Sequence, residues 1–94
     1  MSTDTDPDPQ RLHDASEALR EAATLASGER QERIESQAES IDDLADRDRG
    51  PDQGRLDRHM NAIRELSEPD DEVAEQLGKA YEHLEQYRMD VGGV

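Results

Sequence analysis

Apolar residues in this chain recur at spacings of three and four, in four segments separated by glycine and proline. That spacing places side chains on one face of an α-helix, whereas a half-buried strand alternates apolar and polar residues. The breaks are short, so consecutive helices are expected to be antiparallel neighbours. The sequence therefore predicts an all-α fold, an antiparallel four-helix bundle with helices at about 9–26, 29–47, 55–67 and 70–90.

Capping signals set these boundaries. Asp8 can accept a backbone N–H at the start of the first helix, and Pro9 suits its first helical position. Gly28 tolerates the left-handed conformation and predicts the break between the first two helices. A Gly-Pro pair ends the second helix, and Gly54 is predicted as a further hinge. The acids within Ser67–Glu72 complement the positive end of a fourth helix.

The chain has 94 residues, which predicts one helical domain over 8–91. Residues 1–7 are acidic and polar, so they are predicted to be a disordered tail, and residues 92–94 a flexible C-terminus. The core is lean, with no Phe, no Trp and only two Tyr. Such a core predicts help from a second subunit, a partner protein or a solvent that strengthens apolar burial.

The net charge of the chain indicates that this solvent is a concentrated salt solution. Asp and Glu number 25 against 11 Lys and Arg, a net charge of −14, and Lys79 is the only lysine. Repulsion of this size loosens a compact state at low ionic strength, whereas molar salt shortens the Debye length to about 3 Å. A GC-rich genome would explain the arginines but not the acids. The composition therefore predicts adaptation to a high-salt cytoplasm.

Several classes of function are disfavoured. Without cysteine there is no disulfide, no thiolate nucleophile and no cysteine metal site. The N-terminal MSTDTDPDP is unlike a secretory signal, and no apolar run approaches a membrane span, so we expect a cytoplasmic protein without membrane association. The net charge repels phosphate, so we expect no nucleic-acid partner.

One segment interrupts the helical pattern, DRDRGPDQGRLDRH at residues 46–59. Its aspartates fall at positions 1, 3, 7 and 12 of a helix–loop–helix calcium loop: Asp46, Asp48, Asp52 and Asp57. Position 5 is Gly50, however, and position 6 is Pro51 where the sharp turn needs glycine. We therefore expect no metal.

The same segment is a candidate anion or partner site. Residues 47–64 hold five Arg against three Asp, a charge of +2, while the rest of the chain carries −16. Guanidinium groups near a helix start can grip a carboxylate or phosphate. The candidate binding residues are Arg47, Arg49, Arg55, Arg58 and His59. The alternative is that these arginines pair with the aspartates of the same segment and pin the loop.

No catalytic set is visible in the sequence. His59 lies at the rim of the third apolar stripe, where it could act as a base, a metal ligand or a pH-sensitive contact. Alternatively it hydrogen-bonds to a neighbouring helix. The serines lack a glycine elbow and there is no HExxH pattern, so we expect neither an enzyme nor a cofactor.

The chain resembles, from end to end, a family of small acidic haloarchaeal proteins of unknown function. The similarity lies in RLHDASEAL at residues 11–19 and in an RDRGPD–GRL–RH signature. The signature residues are Arg47, Asp48, Arg49, Gly50, Pro51, Asp52, Gly54, Arg55, Leu56, Arg58 and His59. The resemblance implies a source and a helical fold but no activity.

Two functional hypotheses follow. The first is a non-enzymatic protein-interaction module that binds a partner protein or itself as a homodimer, based on the lean core and the narrow apolar stripes. The second is a small-anion or small-ligand binder that uses segment 47–59. A nucleic-acid regulator with a basic third helix is a third idea, which Asp57 and Glu65 disfavour because they interrupt that face.

Overall fold

The computed structural model describes residues 8–47 and 53–90. Its elements are α1 (Gln10–Leu25), α2 (Gly28–Ala45), α3 (Gln53–Leu66) and α4 (Glu72–Asp90). Within that part of the chain there is no β-strand, and the prediction of an all-α four-helix bundle is confirmed. The predicted tail 1–7 and the predicted flexible C-terminus 92–94 lie outside the described residues.

Two aspartates cap helices. Asp8 Oδ1 accepts the backbone N–H of Gln10 at 3.0 Å, and Pro9 already has helical dihedrals (φ −60°, ψ −17°). Asp8 is therefore the cap of α1 and Pro9 its first helical residue, as the sequence predicts. Asp71 Oδ1 accepts the backbone N–H of Ala74 at 3.0 Å at the start of α4. Each carboxylate satisfies an N–H that has no partner within its own helix.

The connection between α1 and α2 is only two residues long and reverses the chain. Gly28 supplies a φ of +65°, which L-residues with a Cβ adopt at a cost. Gln31 Nε2 donates to the carbonyl of Ala23 at 2.7 Å, which satisfies an oxygen near the end of α1. Further along, the hydroxyl of Ser16 donates to the carbonyl of Ala38 at 3.3 Å. The first two helices therefore form an αα-hairpin.

The four helices form a ring in which each contacts two neighbours. α1 packs along both α2 and α4, and α3 packs on α4 and, less extensively, on α2. The diagonal pairs, α1 with α3 and α2 with α4, have no Cα atoms within 8 Å of one another. Arg30 meets Leu66 and Gln37 meets His59, so α2 and α3 run antiparallel. Because α3 has the least contact with its neighbours, the α2–α3 seam is the loosest in the bundle.

The apolar stripes predicted from the sequence face inward. The buried hydrophobic residues are Leu12, Ala15, Leu19, Ala22, Ala23, Ile34, Ala38, Ile41, Leu44, Leu56, Met60, Ile63, Leu66, Val73, Leu77, Ala80, Leu84 and Tyr87. Among the described residues, the large hydrophobic side chains left exposed are Leu25 and Met89. No described helix has both the length and the apolarity to cross a membrane.

Some helix boundaries differ from the predicted ones. α3 begins at Gln53, two positions before residue 55, and Gly54 lies inside its first turn without a positive φ. The predicted hinge at Gly54 is therefore wrong, since the helix begins before this glycine. α4 begins at Glu72 and not at 70, because Asp71 acts as its cap. α2 ends at Ala45, two residues short of the predicted 47.

Candidate functional site

Four of the five predicted site residues are described. Arg47 lies just beyond the end of α2, and Arg55 and Arg58 lie in the first two turns of α3. All three arginines are exposed, and His59 is half-buried beside them. Arg49 lies outside the described residues. The structure thus places three of these residues on α3 and the fourth where α2 ends.

The aspartates of the segment contact other helices. Asp57 Oδ1 lies 2.8 Å from Arg88 Nε of α4. That Nε is enclosed and makes no well-directed hydrogen bond, so the contact is chiefly between charges. Asp46 Oδ1 lies 3.9 Å from His13 Nε2 of α1. For these two aspartates the predicted local pairing is wrong, because neighbours in a helical sequence diverge by about 100° and face different elements.

Arginines elsewhere in the chain are paired with carboxylates. Arg20 Nη2 donates to Asp42 Oδ2 at 2.6 Å, across the α1–α2 interface. Burial by itself raises the pKa of Asp42, but the hydrogen bond and charge of Arg20, with hydrogen bonds from Ser16 and His13, together lower the pKa below its ordinary value. His13 Nδ1 approaches the other carboxylate oxygen at 3.4 Å. The α1–α2 interface therefore carries a compensated charge cluster.

Five exposed arginines differ from those. Among the described residues, five have no carboxylate oxygen within 4.0 Å of their guanidinium nitrogens: Arg11, Arg33, Arg47, Arg58 and Arg64. Arg55 takes part in an interaction of its own. Acids outnumber bases by 25 to 11, so partners are abundant. Arg33, Arg47 and Arg58 lie on the side of the bundle that α2 and α3 form.

Most polar residues of α2 fall into two stripes. Its acids Glu32, Glu35, Glu39 and Asp43 recur at spacings of three and four and form one stripe. Arg33, Gln37 and Ser40 form a second stripe on the side nearer α3, because Gln37 contacts His59, and Glu29 lies one turn before Arg33 on that stripe. We call the surface on and beside this seam the basic edge, with Arg58 on the outer face of α3; it is formed by Arg33, Gln37, Ser40, Arg47, Arg55, Arg58 and His59.

A side-chain hydrogen bond joins the two helices within the basic edge. His59 Nδ1 lies 2.7 Å from Gln37 Oε1, so the ring donates its Nδ1–H and keeps Nε2 as an acceptor when neutral. Burial lowers the pKa of His59, and the positive charge of Arg55 lowers it further. The prediction of a rim histidine bonded to a neighbouring helix is confirmed.

Sequence analysis missed the arginine with the most contacts. Arg30 Nε and Nη2 donate to the carbonyl of Leu66 at 3.1 and 2.9 Å, and Nη1 and Nη2 donate to the carboxylate of Asp71 at 2.9 and 3.2 Å. These hydrogen bonds, with the backbone N–H of Ala74, lower the pKa of Asp71. Arg30 thereby holds the end of α3 and the cap of α4 to the start of α2. We call Arg30, Leu66 and Asp71 the helix junction.

A signal for this role existed in the sequence. Arg30 lies in the first turn of α2, where the helix dipole disfavours positive charge. A basic residue at that place indicates a specific partner. Its partners lie 36 and 41 positions away in the chain, so only the packing of the helices reveals them.

A shallow depression lies between the helix junction and the basic edge. Its lining residues are Glu29, Arg30, Arg33, Glu65, Leu66 and Pro69. In the part of the chain that the structure describes, no group of three or more His, Asp or Glu side chains is arranged to hold a metal ion. The polar groups along this surface are the guanidinium groups of the arginines, the carboxylates of Glu29 and Glu65, and the amide and hydroxyl of Gln37 and Ser40.

All four helices lie within the part of the chain that matches a known sequence family. A model of a family of unknown function, DUF7553, matches residues 3–90. The chain belongs to this family. No curated protein and no solved structure matches it. The DUF7553 match covers both the helix junction and the basic edge, while a haloarchaeal source and the RDRGPD–GRL–RH signature stay predictions.

Proposed function

We propose that the protein is a non-enzymatic interaction module that binds a partner protein through the polar surface of the basic edge. One observation carries this proposal: Arg33, Arg47 and Arg58 are exposed on one side of a strongly acidic molecule and have no carboxylate within 4.0 Å among the described residues. Arginine is also enriched at the energetic centres of protein interfaces. The apolar stripes are buried within one chain, which moves the expected interface away from them.

The non-enzymatic part of the proposal is supported by how reactive groups are used. The hydroxyl of Ser16 is buried and donates to the carbonyl of Ala38, and the ring of His59 is tied to Gln37. Ser16 also lies beside Asp42, but that carboxylate is held by Arg20 and approached by His13 as part of the α1–α2 contact. Ser16 and His59 both serve helix packing.

The module is also proposed to work in a high-salt cytoplasm. With a net charge of −14 the bundle repels itself, and the Debye length grows from about 3 Å in 1 M salt to about 10 Å in 0.1 M salt. Circular dichroism across a KCl series tests this part. We expect the urea midpoint to fall steadily as KCl is lowered, and an unchanged midpoint would contradict the adaptation.

The partner is sought by affinity capture. The tagged full chain is incubated with a lysate of a halophilic archaeon in molar KCl, and any captured protein is purified and tested for stoichiometric rebinding by calorimetry. Rebinding of one protein supports the proposal. Sedimentation of the chain alone tests the homodimer. Self-association without any other partner would make the protein a homo-oligomer, and absence of both would overturn the interaction module.

A second candidate function is the binding of a small anion by Arg47, Arg49, Arg55, Arg58 and His59. Arg47 and Arg58 have no carboxylate partner among the described residues, and Arg55 and Arg58 lie near the positive end of α3. Titration with phosphate and with citrate in molar KCl, followed by NMR, tests it. Saturable shifts at these residues would favour this function over the first.

A further inference from the structure

We infer that the α2–α3 seam is a pH-sensitive switch: a proton on His59 favours opening of the seam, while the α1–α2 interface and the helix junction stay closed. The switch is a property of the fold and does not depend on what the protein binds. It follows from how the helices pack, from the charges around the three histidines and from the contacts that hold the end of α3.

The seam is the interface that separates most readily. α3 packs less extensively on α2 than on α4, whereas α1 packs extensively on both of its neighbours. A side-chain hydrogen bond joins α2 and α3 midway, between Gln37 and His59 at 2.7 Å. Regions with few packing contacts open locally at a lower free energy than the rest of a domain. A change at His59 therefore acts on the weakest interface of the bundle.

His59 lies among positive charges. Its half-buried ring is on the side of α3 that faces α2, with Arg55 one turn before it and Arg58 directly before it. Within residues 8–47 and 53–90, no carboxylate oxygen lies within 4.0 Å of either ring nitrogen. Burial and the charge of Arg55 both lower the pKa of His59, so the closed seam disfavours the protonated ring.

The described residues of the helices packed against α3 place no counter-charge on this ring. On α2 the ring meets the neutral Gln37, with Arg33 one turn before it and Glu29 a second turn away. On α4, Arg88 contacts Asp57. Asp57 lies on the opposite side of α3 from the ring, because helical residues two positions apart diverge by about 200°. A proton on the ring is therefore met chiefly by positive charge.

The other two histidines lie beside acids. The ring nitrogens of His13 lie 3.4 Å from a carboxylate oxygen of Asp42 and 3.9 Å from one of Asp46. His83 lines a shallow depression between α1 and α4 with Lys79 and with three acids of α1, which are Asp14, Glu17 and Glu21. A proton on either ring meets nearby negative charge. Mild acid therefore does not loosen the interfaces of α1 through these two histidines.

The helix junction keeps the end of α3 in place in mild acid. Arg30 donates to the carbonyl of Leu66 and to the carboxylate of Asp71. Its hydrogen bonds lower the pKa of Asp71, so this carboxylate stays charged at a pH where an exposed histidine, with a pKa of about 6.5, takes up its proton. The seam therefore opens from the start of α3, with Leu66 as the fixed end.

Amide hydrogen exchange of the full chain, followed by NMR in molar KCl and corrected for the intrinsic effect of pH on exchange, tests the switch. It is measured at about pH 7.5 and about pH 5.5, one unit on either side of the ordinary histidine pKa. The test variant is His59→Gln, which removes the titrating ring and keeps a polar side chain. The control variant is His83→Gln, which makes the same change outside the seam. Circular dichroism verifies that each variant is folded.

In wild type we expect the amides of α3 to exchange at least about tenfold faster than the most protected amides of α1 at both pH values, because the seam opens without the rest of the bundle. The closed seam is favoured above a pH of about 6.5 and loses this advantage as the pH falls, because the open state takes up the proton first. The protection of α3 should therefore fall by up to about tenfold between the two pH values.

This fall should disappear in His59→Gln and persist in His83→Gln. Equal protection of α1 and α3 in wild type, or an unchanged fall in His59→Gln, would overturn the inference. A titration of the histidine ring signals of wild type keeps the test decisive if His59→Gln does not fold. The ring of His59 should titrate below a pH of about 6.5, and a midpoint at or above that value would also overturn the inference.

Discussion

The helix junction and the basic edge use the same residue type in opposite ways. At the helix junction, Arg30 makes hydrogen bonds to both the carbonyl of Leu66 and the carboxylate of Asp71. Arg33, one turn further along the same helix, has no carboxylate within 4.0 Å among the described residues. The two side chains differ in what the neighbouring helices present to them. Arg30 is structural because a chain reversal brings two sets of oxygens to it, whereas Arg33 pairs with neither Glu29 nor Glu65, which line the same depression.

Removing the side chain of Arg30 should destabilise the helix junction. Arg30→Ala leaves the carbonyl of Leu66 without its donors and the Asp71 cap without its counter-charge. We expect the free energy of unfolding to fall by about 2 kcal/mol, the range for hydrogen bonds that involve a charged group. Urea unfolding in molar KCl measures it.

A conservative variant separates charge from geometry at the same position. Arg30→Lys keeps the charge but cannot reach two acceptors with a planar fork, so it should recover less than half of the loss. Full recovery by lysine would show that charge alone holds the helix junction and that the forked geometry of the guanidinium contributes nothing to it.

The second test concerns the backbone that leads into the helix junction. Gly28 has a φ of +65° and no atom within 4 Å of the position of a Cβ, so Gly28→Ala should cost about 1 kcal/mol through backbone strain alone. Gly78, inside α4, also has no atom within 4 Å of that position, and Gly78→Ala should add about 0.5–1 kcal/mol. The measurement is the thermal midpoint of each variant.

We expect Gly28→Ala to lower the stability of the bundle and Gly78→Ala to raise it. If Gly28→Ala were neutral, the reversal before α2 would be able to relax, and Arg30 would not depend on it. If Gly78→Ala destabilised the bundle, a close approach to α4 that the described residues do not show would have to exist.

The contribution of His59 to the stability of the bundle should depend on pH. The pKa of His59 is lowered in the folded chain by burial and by Arg55, so its neutral form is the favoured one. The unfolded chain takes up the proton first, at a pKa of about 6.5. Stability should therefore be complete above that value and fall as the pH drops through it, until the folded histidine is protonated too.

Urea unfolding of wild type and His59→Gln in molar KCl, between neutral and mildly acidic pH, measures this effect, which we expect to be smaller than that of Arg30→Ala. His59→Gln should flatten the slope over that window. A slope that persists unchanged in the variant would mean that other groups cause it and that the contact with Gln37 does not exclude the charged ring.

The bundle could be predicted because its signals are local. The stripe of Leu56, Met60 and Ile63 and the Asp8-Pro9 cap act within a few residues, and both are observed. The pairing of charges could not be predicted, because each partner is chosen by helix register. Asp57 contacts Arg88 of α4, although Arg58 adjoins it in sequence.

The candidate site shows the same division. The sequence indicated an arginine-rich start of the third helix and a rim position for His59, and both are found. It did not indicate Arg33, because its position beside α3, without a carboxylate within 4.0 Å among the described residues, depends on how the helices pack. Nor did it indicate Arg30, whose contacts form only after three helices have met.

Arg30 is expected to be required for the fold, whereas Arg33 and Arg58 are not. The most direct measurement is the free energy of unfolding of Arg30→Ala and of Arg33→Ala/Arg58→Ala, determined with urea in molar KCl. We predict a loss of about 2 kcal/mol for Arg30→Ala and a change within about 0.5 kcal/mol for the double variant. A double variant as unstable as Arg30→Ala would show that the basic edge is part of the scaffold, and would contradict this expectation.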